Sequence, residues 1–338
     1  MLSQWRLEGR PASRFAIDRR YLPVTMTIGL FLLSYIAAGL RYDGIFSTQV
    51  FFNLLIDNAF LLISAVGMTF VILSGGIDLS VASVIAFTAM ASAALVERAG
   101  VSPLIAIPLV LLFGSGLGAG MGALIQFWKI PPFVATLAGM FLARGSCFLI
   151  GVDAIPINHP FYKEVAQFQI QPFGGAFISI NVVVALVALL VGVYLLHYTP
   201  FGRVVYALGG SEQSSLLMGL PVARTKVLVY TLNGFCSALA GVVYSVYMLS
   251  GHGLYANGFE LDIISAVVIG GTPLSGGIGY VVGTFFGVLI QGLIQVVITF
   301  DGTLNSWWTR IVVGLLTLFF IVMQRFLTGQ GQKPAHSS

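Results

Sequence analysis

Apolar residues run in membrane-length blocks, and most polar residues fall between them. A bilayer-crossing helix needs about 20 apolar residues. On that criterion the pattern predicts spans at Pro23–Leu40, Val50–Leu73, Leu79–Val96, Pro103–Trp128 and Phe133–Ile150, then at Ala176–Leu196, Val227–Leu249, Gly279–Val297 and Thr309–Met323. A further apolar piece, Glu260–Ile269, is too short to cross alone and ends in Gly270-Gly271. Counting it gives ten crossings and an all-α, polytopic membrane protein with broken helices. Two long polar segments interrupt the spans, Gly151–Gly175 and His197–Lys226. Lys129-Ile-Pro-Pro132 is a hard stop, because proline starts a new helix more readily than it continues an old one.

The most informative interruption is Leu73–Ser83, Leu-Ser-Gly-Gly-Ile-Asp-Leu-Ser-Val-Ala-Ser. Gly75 and Gly76 each disfavour helix by roughly 1 kcal/mol against alanine. Asp78 costs about 2.5–3.5 kcal/mol if it faces lipid at a helix centre. Two readings stand: a turn at the membrane edge with Asp78 as a helix cap, or a functional break. The chain repeats part of this stretch. Ile63-Ser-Ala-Val66 and Leu73-Ser-Gly-Gly-Ile77 recur as Ile264-Ser-Ala-Val267 and Leu274-Ser-Gly-Gly-Ile278, both at an offset of 201 residues. Transporter halves are often related in this way, with broken helices at matching positions; coincidence in apolar, low-complexity sequence is the other reading. On the ten-span count the copies run in the same direction. Gly279 stands where the first copy has Asp78, which points Asp78 to capping or gate closure rather than to a ligand-binding role shared by both copies.

Composition changes the picture little. Of 338 residues, 57% are hydrophobic and only 8% charged, against about 25% charged in soluble domains. The 40 glycines suit close helix packing. The net charge of +4 is no nucleic-acid signal, because the basic residues segregate. Arg6, Arg10, Arg14, Arg19, Arg20, Lys129, Arg203, Arg224, Lys226, Arg325 and Lys333 fall on one side; Arg41, Arg98, Lys163 and Arg310 fall on the other. Arg144 lies within a span and can reach outward. The excess of positive charge marks the cytoplasmic side, so both termini are expected there. Residues 1–22 read as a basic cytoplasmic tail, 23–326 as one transmembrane domain with a cytoplasmic coupling loop at 198–226, and 327–338 as a second tail.

Catalytic and metal motifs are absent from the sequence. The histidines His159, His197, His252 and His336 are scattered, and no pair has metal-ligand spacing. Cys147 and Cys236 sit in apolar runs and read as packing residues. No lysine follows a glycine, so there is no phosphate-binding loop for ATP. The polar segment after the sixth long span does carry a signal. Ser211 is a good N-cap for a short helix ending at Met218, Glu212 suits its positive end, and Gly219 and Pro221 stop it. Ser211, Glu212 and Gln213, with the apolar Leu216, Leu217 and Met218, form either a knob that docks on a cytoplasmic partner or a plain connecting helix.

Gly75-Gly-Ile-Asp-Leu-Ser80, the loop Tyr206-Ala-Leu-Gly-Gly210, and Glu260-Leu-Asp262 with Gly270-Gly-Thr-Pro-Leu-Ser-Gly-Gly277 resemble the permease subunits of ribose-type ABC sugar importers. The resemblance runs from about Pro23 to Arg325. Ile155-Pro-Ile-Asn-His-Pro160 and Phe300-Asp-Gly-Thr-Leu-Asn-Ser-Trp-Trp308 resemble the galactofuranose-importing subtype. Ala82 departs from the family's usual glycine and puts only local packing in question. The resemblance implies the ABC importer permease fold in a bacterial inner membrane. It also implies a second, similar permease, a cytoplasmic ATP-binding subunit that holds ATP and Mg, and a periplasmic sugar-binding protein. This chain itself would carry no cofactor and no catalytic residue. Gly75, Gly76, Asp78, Gly276 and Gly277 would then mark the gate or helix breaks, and Ser211–Met218 the coupling to the ATPase. The competing function is an ion-coupled sugar carrier that needs no ATPase; a receptor-type membrane subunit without transport is a third.

Overall fold

The computed structural model describes residues 21–329 apart from 174 and 306. The expected basic tail, with Arg6, Arg10, Arg14, Arg19 and Arg20, lies outside the described residues, as do Lys333 and His336. The helices in order are α1 (Leu22–Arg41), α2 (Thr48–Asp57), α3 (Ala59–Leu73), α4 (Val81–Ala93, continued by a π turn over Ala94–Arg98), α5 (Pro103–Phe127), α6 (Pro132–Ile150) and α7 (Pro160–Gln167). They continue as α8 (Ile180–Tyr198), α9 (Pro200–Gly210), α10 (Glu212–Leu217), α11 (Val222–Met248), α12 (Phe259–Ile269), α13 (Val281–Asp301) and α14 (Trp307–Gly329).

Among the described residues, eight helices are long and apolar enough to cross a bilayer, and α2 with α3 makes a ninth span bent by 55°. The bend falls at Asn58, whose backbone leaves the helical region. The hydropathy pattern alone reads this pair as one straight span. Helix α12 has 11 residues, about 16 Å at 1.5 Å per residue, roughly half of a 30 Å hydrocarbon core. The non-helical segment 270–280 completes that passage. It starts beside α1, where Thr27 Oγ1 donates to the Ile269 carbonyl at 2.6 Å. It ends at Tyr280, which stacks on Tyr21 and on His197. Counting it with the eight long helices and the bent pair gives ten passages among the described residues.

Contacts between helices sort the two ends of the bundle. The break end gathers Tyr21, Gly76, His197, Tyr206 and Tyr280. The insert end gathers Tyr42, which donates to Asp301, and Arg98, which donates to the Ile150 carbonyl. Arg144 reaches toward the insert end, donating to the Gly253 and Tyr255 carbonyls.

Burial explains the sequence pattern. All 15 residues of α3 are buried, so it is apolar all round. Helices α1, α5, α6, α8 and α14 keep wide apolar faces exposed, as helices facing lipid do. Between α5 and α11 the backbones nearly touch. A Cβ at Gly114 would stand 2.7 Å from the Gly234 carbonyl oxygen, and one at Gly122 would stand 3.0 Å from Val227 Cα. This glycine stripe at every fourth residue is the close-packing device of membrane helices.

Four boundaries differ from the hydropathy reading. Residues Ala176–Ser179 are not the start of a span but a strand, paired antiparallel with Gln169–Phe173. The segment through Tyr206–Gly210 is not a loop: it is α9, capped by Thr199, whose hydroxyl accepts from the Gly202 N–H. Helix α11 begins at Val222, five residues before the apolar block, because Arg224 and Lys226 are tolerated at a helix end where their charges reach water. The polar insert is folded. Ile155–Pro156 pairs with Ser250–Gly251, Glu97 accepts from the Asn158 and His159 N–H groups, and Tyr162 of α7 is fully buried.

Candidate functional site

The repeated stretches come together. The Gly277 N–H donates to the Leu73 carbonyl at 3.0 Å, so the second break is hydrogen-bonded to the end of α3. At the other ends of the paired helices, Phe60 of α3 stacks on Phe259 of α12 with ring centres 5.5 Å apart. The two copies therefore lie side by side and run in the same direction.

The glycines of this junction serve two different needs. Gly75 (φ +80°), Gly276 (φ +79°) and Gly277 (φ +78°) hold left-handed backbone, which side chains with a Cβ resist. Gly76 has ordinary backbone, but a Cβ there would run into Tyr230 Oη. A third segment joins from α9. A Cβ at Gly209 would overlap the Leu73 carbonyl oxygen and approach the Gly277 nitrogen. Tyr206, also on α9, donates to the Gly279 carbonyl at 2.6 Å. One turn of α9 thus rests on both breaks at once.

Asp78 is buried. Its Oδ1 accepts from the Ser80 N–H (2.8 Å) and hydroxyl (2.6 Å), and its Oδ2 accepts from Asn233 Nδ2 (2.8 Å). Such partners are what a buried carboxylate requires. Asp78 therefore does more than turn the chain: it ties the first break to the middle of α11. Asn233 and Tyr230 escaped the sequence reading, although a buried asparagine within an apolar span is itself a signal. The second break has no such tie, since Gly279 offers no side chain.

The coupling segment follows without a linker. α9 ends at Gly210, Ser211 caps α10 by accepting from the Ser214 N–H at 3.2 Å, and Met218 closes it. Glu212 pairs with Lys226 of α11 at 2.7 Å, and Ser215 is buried against the bundle. Gln213 is exposed, as are Leu216 (53%), Leu217 (84%) and Met218 (65%). The helix is held on its polar side and presents its apolar side outward. Lys129, Arg203, Arg224 and Lys226 lie at this same end. Among the described residues no three His, Cys, Asp or Glu side chains gather as metal ligands.

Residues 50–321 match the family model described as branched-chain amino acid transport system / permease component. The chain is 51% identical over 310 residues to the inner membrane ABC transporter permease protein YjfF of Escherichia coli (strain K12), covering 92% of this chain and 94% of that one. It is 39% identical over 301 residues to the ribose import permease protein RbsC of Bacillus subtilis (strain 168), covering 88% and 91%. It is 37% identical over 327 residues to the fructose import permease protein FruG of Bifidobacterium longum (strain NCC 2705), covering 95% and 96%. No solved structure matches. With its bundle of apolar, membrane-length helices and this nearly full-length similarity, the chain belongs to the ABC transporter permease family, as a multi-pass inner membrane transport subunit and not an enzyme.

Proposed function

We propose that this chain is one of a pair of permeases that import a monosaccharide, of the galactofuranose type, using ATP hydrolysed by a cytoplasmic partner. The similarity to ribose and fructose import permeases supports a sugar. The subtype motifs Ile155–Pro160 and Phe300–Trp308 support galactofuranose. The observation that carries the mechanism is the continuous path from α10 through Gly209 to both breaks. ATP and Mg bind in the partner, and α10 is the handle on which that partner pulls. Leu216, Leu217 and Met218 fill an apolar groove of the ATPase, while the Glu212–Lys226 pair and buried Ser215 keep α10 fixed to α11. Displacement of α10 moves α9, and α9 bears on Leu73 and Gly277. Gly276 and Gly277 are then the hinge points of the gate, Gly75 and Gly76 form the turn it closes against, and Asp78 holds that first break still.

This reading places the break end in the cytoplasm, with both termini, in line with its excess of Lys and Arg. The folded insert 151–179 then faces the periplasm and offers a surface to the sugar-binding protein. A cysteine at Gln213 tests the arrangement. In the assembled importer it crosslinks to the ATPase and not to the sugar-binding protein. Crosslinking to the sugar-binding protein would overturn the orientation and the coupling role together.

A further inference from the structure

Toward the insert end, a cavity of about 750 Å³ opens between α2, α3, α11, α12, α13 and α14. Exposed residues of its lining include Asp57, Gln295 and, in the connection between α13 and α14, Gly302 and Leu304. Its floor is Asn58 and Gln291, both buried. Below that floor α3 is buried along its whole length, and Thr69 of α3 is hydrogen-bonded to Thr284 of α13 at 2.8 Å. The cavity is therefore closed toward the breaks.

We propose that this cavity binds the transported monosaccharide within the membrane. The inference rests on the sugar-permease reading above and deepens it. Helical spacing brings the polar groups to one place. Asn53 and Asp57 lie one turn apart on α2, and Gln291 and Gln295 lie one turn apart on α13; all four line the cavity. Asp262 of α12 and Arg310 of α14 join them from the other side. Polar side chains in a membrane bundle persist where they face water or a ligand. Their chemistry suits a neutral polyol. Carboxylates accept from sugar hydroxyls, and amides both donate and accept. Tyr247 and Phe259 present aromatic surface for the apolar CH face of a sugar ring. The volume lies within the range of about 300–1,000 Å³ typical of small-molecule sites. Asp57 already accepts from the Tyr247 hydroxyl at 3.0 Å, and Gln291 donates to the Asp262 carbonyl at 2.9 Å. The lining is thus set in position, while Gln295 stays exposed to the space.

The test uses the whole importer reconstituted in vesicles, with galactofuranose and ribose as probes. Gln295→Leu and Asp57→Asn are each expected to lower ATP-driven uptake about tenfold, the effect of about 1.4 kcal/mol, in complexes that still copurify in wild-type amount. Uptake within about twofold of wild type in both variants would overturn the assignment. Gln295→Cys supplies a reading that does not depend on turnover, since the chain's own Cys147 and Cys236 are buried. A membrane-impermeant thiol reagent added on the insert side should modify it, and sugar delivered by the binding protein should slow that reaction severalfold. No modification in the assembled complex, or no slowing by sugar, would count against the cavity. If the wild-type complex takes up neither sugar, the monosaccharide reading proposed above falls and the assignment with it. If it takes up a sugar and the variants match it, only the cavity assignment falls.

Discussion

The two copies of the Leu-Ser-Gly-Gly-Ile motif share a sequence and adopt opposite mechanical characters. In the first, α3 runs to Leu73, Leu73 and Ser74 are buried, and Asp78 anchors the turn to Asn233. In the second, α12 stops at Ile269, five residues ahead of the matching point, because Gly270-Gly-Thr-Pro273 stands where the first copy has Thr69-Phe-Val-Ile72. Proline cannot donate to the ladder and disfavours helix at the residue before it. The remaining turn is left exposed at Leu274 (38%) and Ile278 (44%). One copy is fixed in the core, and the other is a loop laid across it. A gate needs a fixed jamb and a movable leaf, and the difference between the copies supplies both from one motif.

Gly209→Val breaks both copies at once and has the largest expected effect. The added side chain meets backbone on either side, at Leu73 and Gly277. Backbone cannot rotate away as the end of a side chain can, so the cost lies at or above the roughly 1–3 kcal/mol of ordinary overpacking. Uptake by the assembled importer should be abolished, with the chain still inserted in the membrane. Substantial uptake by this variant would show that α9 does not bear on the breaks.

Asn233→Leu tests the anchored copy alone. It removes one donor to a buried carboxylate, a loss of about 1.5–3 kcal/mol for a hydrogen bond to a charged group. The two Ser80 donors remain. Thermal unfolding of the purified chain in detergent should fall to lower temperature, and uptake should drop because the first break is no longer held to α11. Unchanged unfolding would mean that Asp78 is satisfied by Ser80 alone, and the contrast between the copies would then rest on α12 only.

How much of this was legible in the sequence follows from what each feature depends on. The long spans depend on apolar length, which is local, and their limits were found to within a few residues for α1, α5 and α6. The motif at Leu73 and its repeat were legible because glycine pairs are visible one residue at a time. The short helix at Ser211 was legible from its cap and its stops. The bend at Asn58 was not, since Asn53, Asp57 and Asn58 look the same in a span end as in a cavity wall. Helix α9 is not legible locally, since Gly209 and Gly210 are poor helix formers; packing against Leu73, which demands a residue without a Cβ, overrides that propensity. The Asp78–Asn233 bond spans 155 residues. Nothing local in either stretch names the other.

The smallest expected effect separates conformation from contact at matched positions. Gly75 and Gly276 correspond at the offset of the repeat and hold nearly the same left-handed backbone, φ +80° and +79°. At Gly75 a Cβ would find its nearest neighbour, the Ser275 carbonyl oxygen, at 3.9 Å, an ordinary contact. At Gly276 it would stand 2.8 Å from both the Gly75 nitrogen and the Leu73 carbonyl oxygen. Gly75→Ala therefore carries only the left-handed penalty, about 1–2 kcal/mol, and the importer should keep much of its uptake, with a modest fall in unfolding temperature. Loss of uptake from this one methyl would mean that Gly75 moves into a tighter setting during the transport cycle. The anchored copy would then have to move as well, and the division into a fixed break and a movable one would fail at the position where the two are most alike.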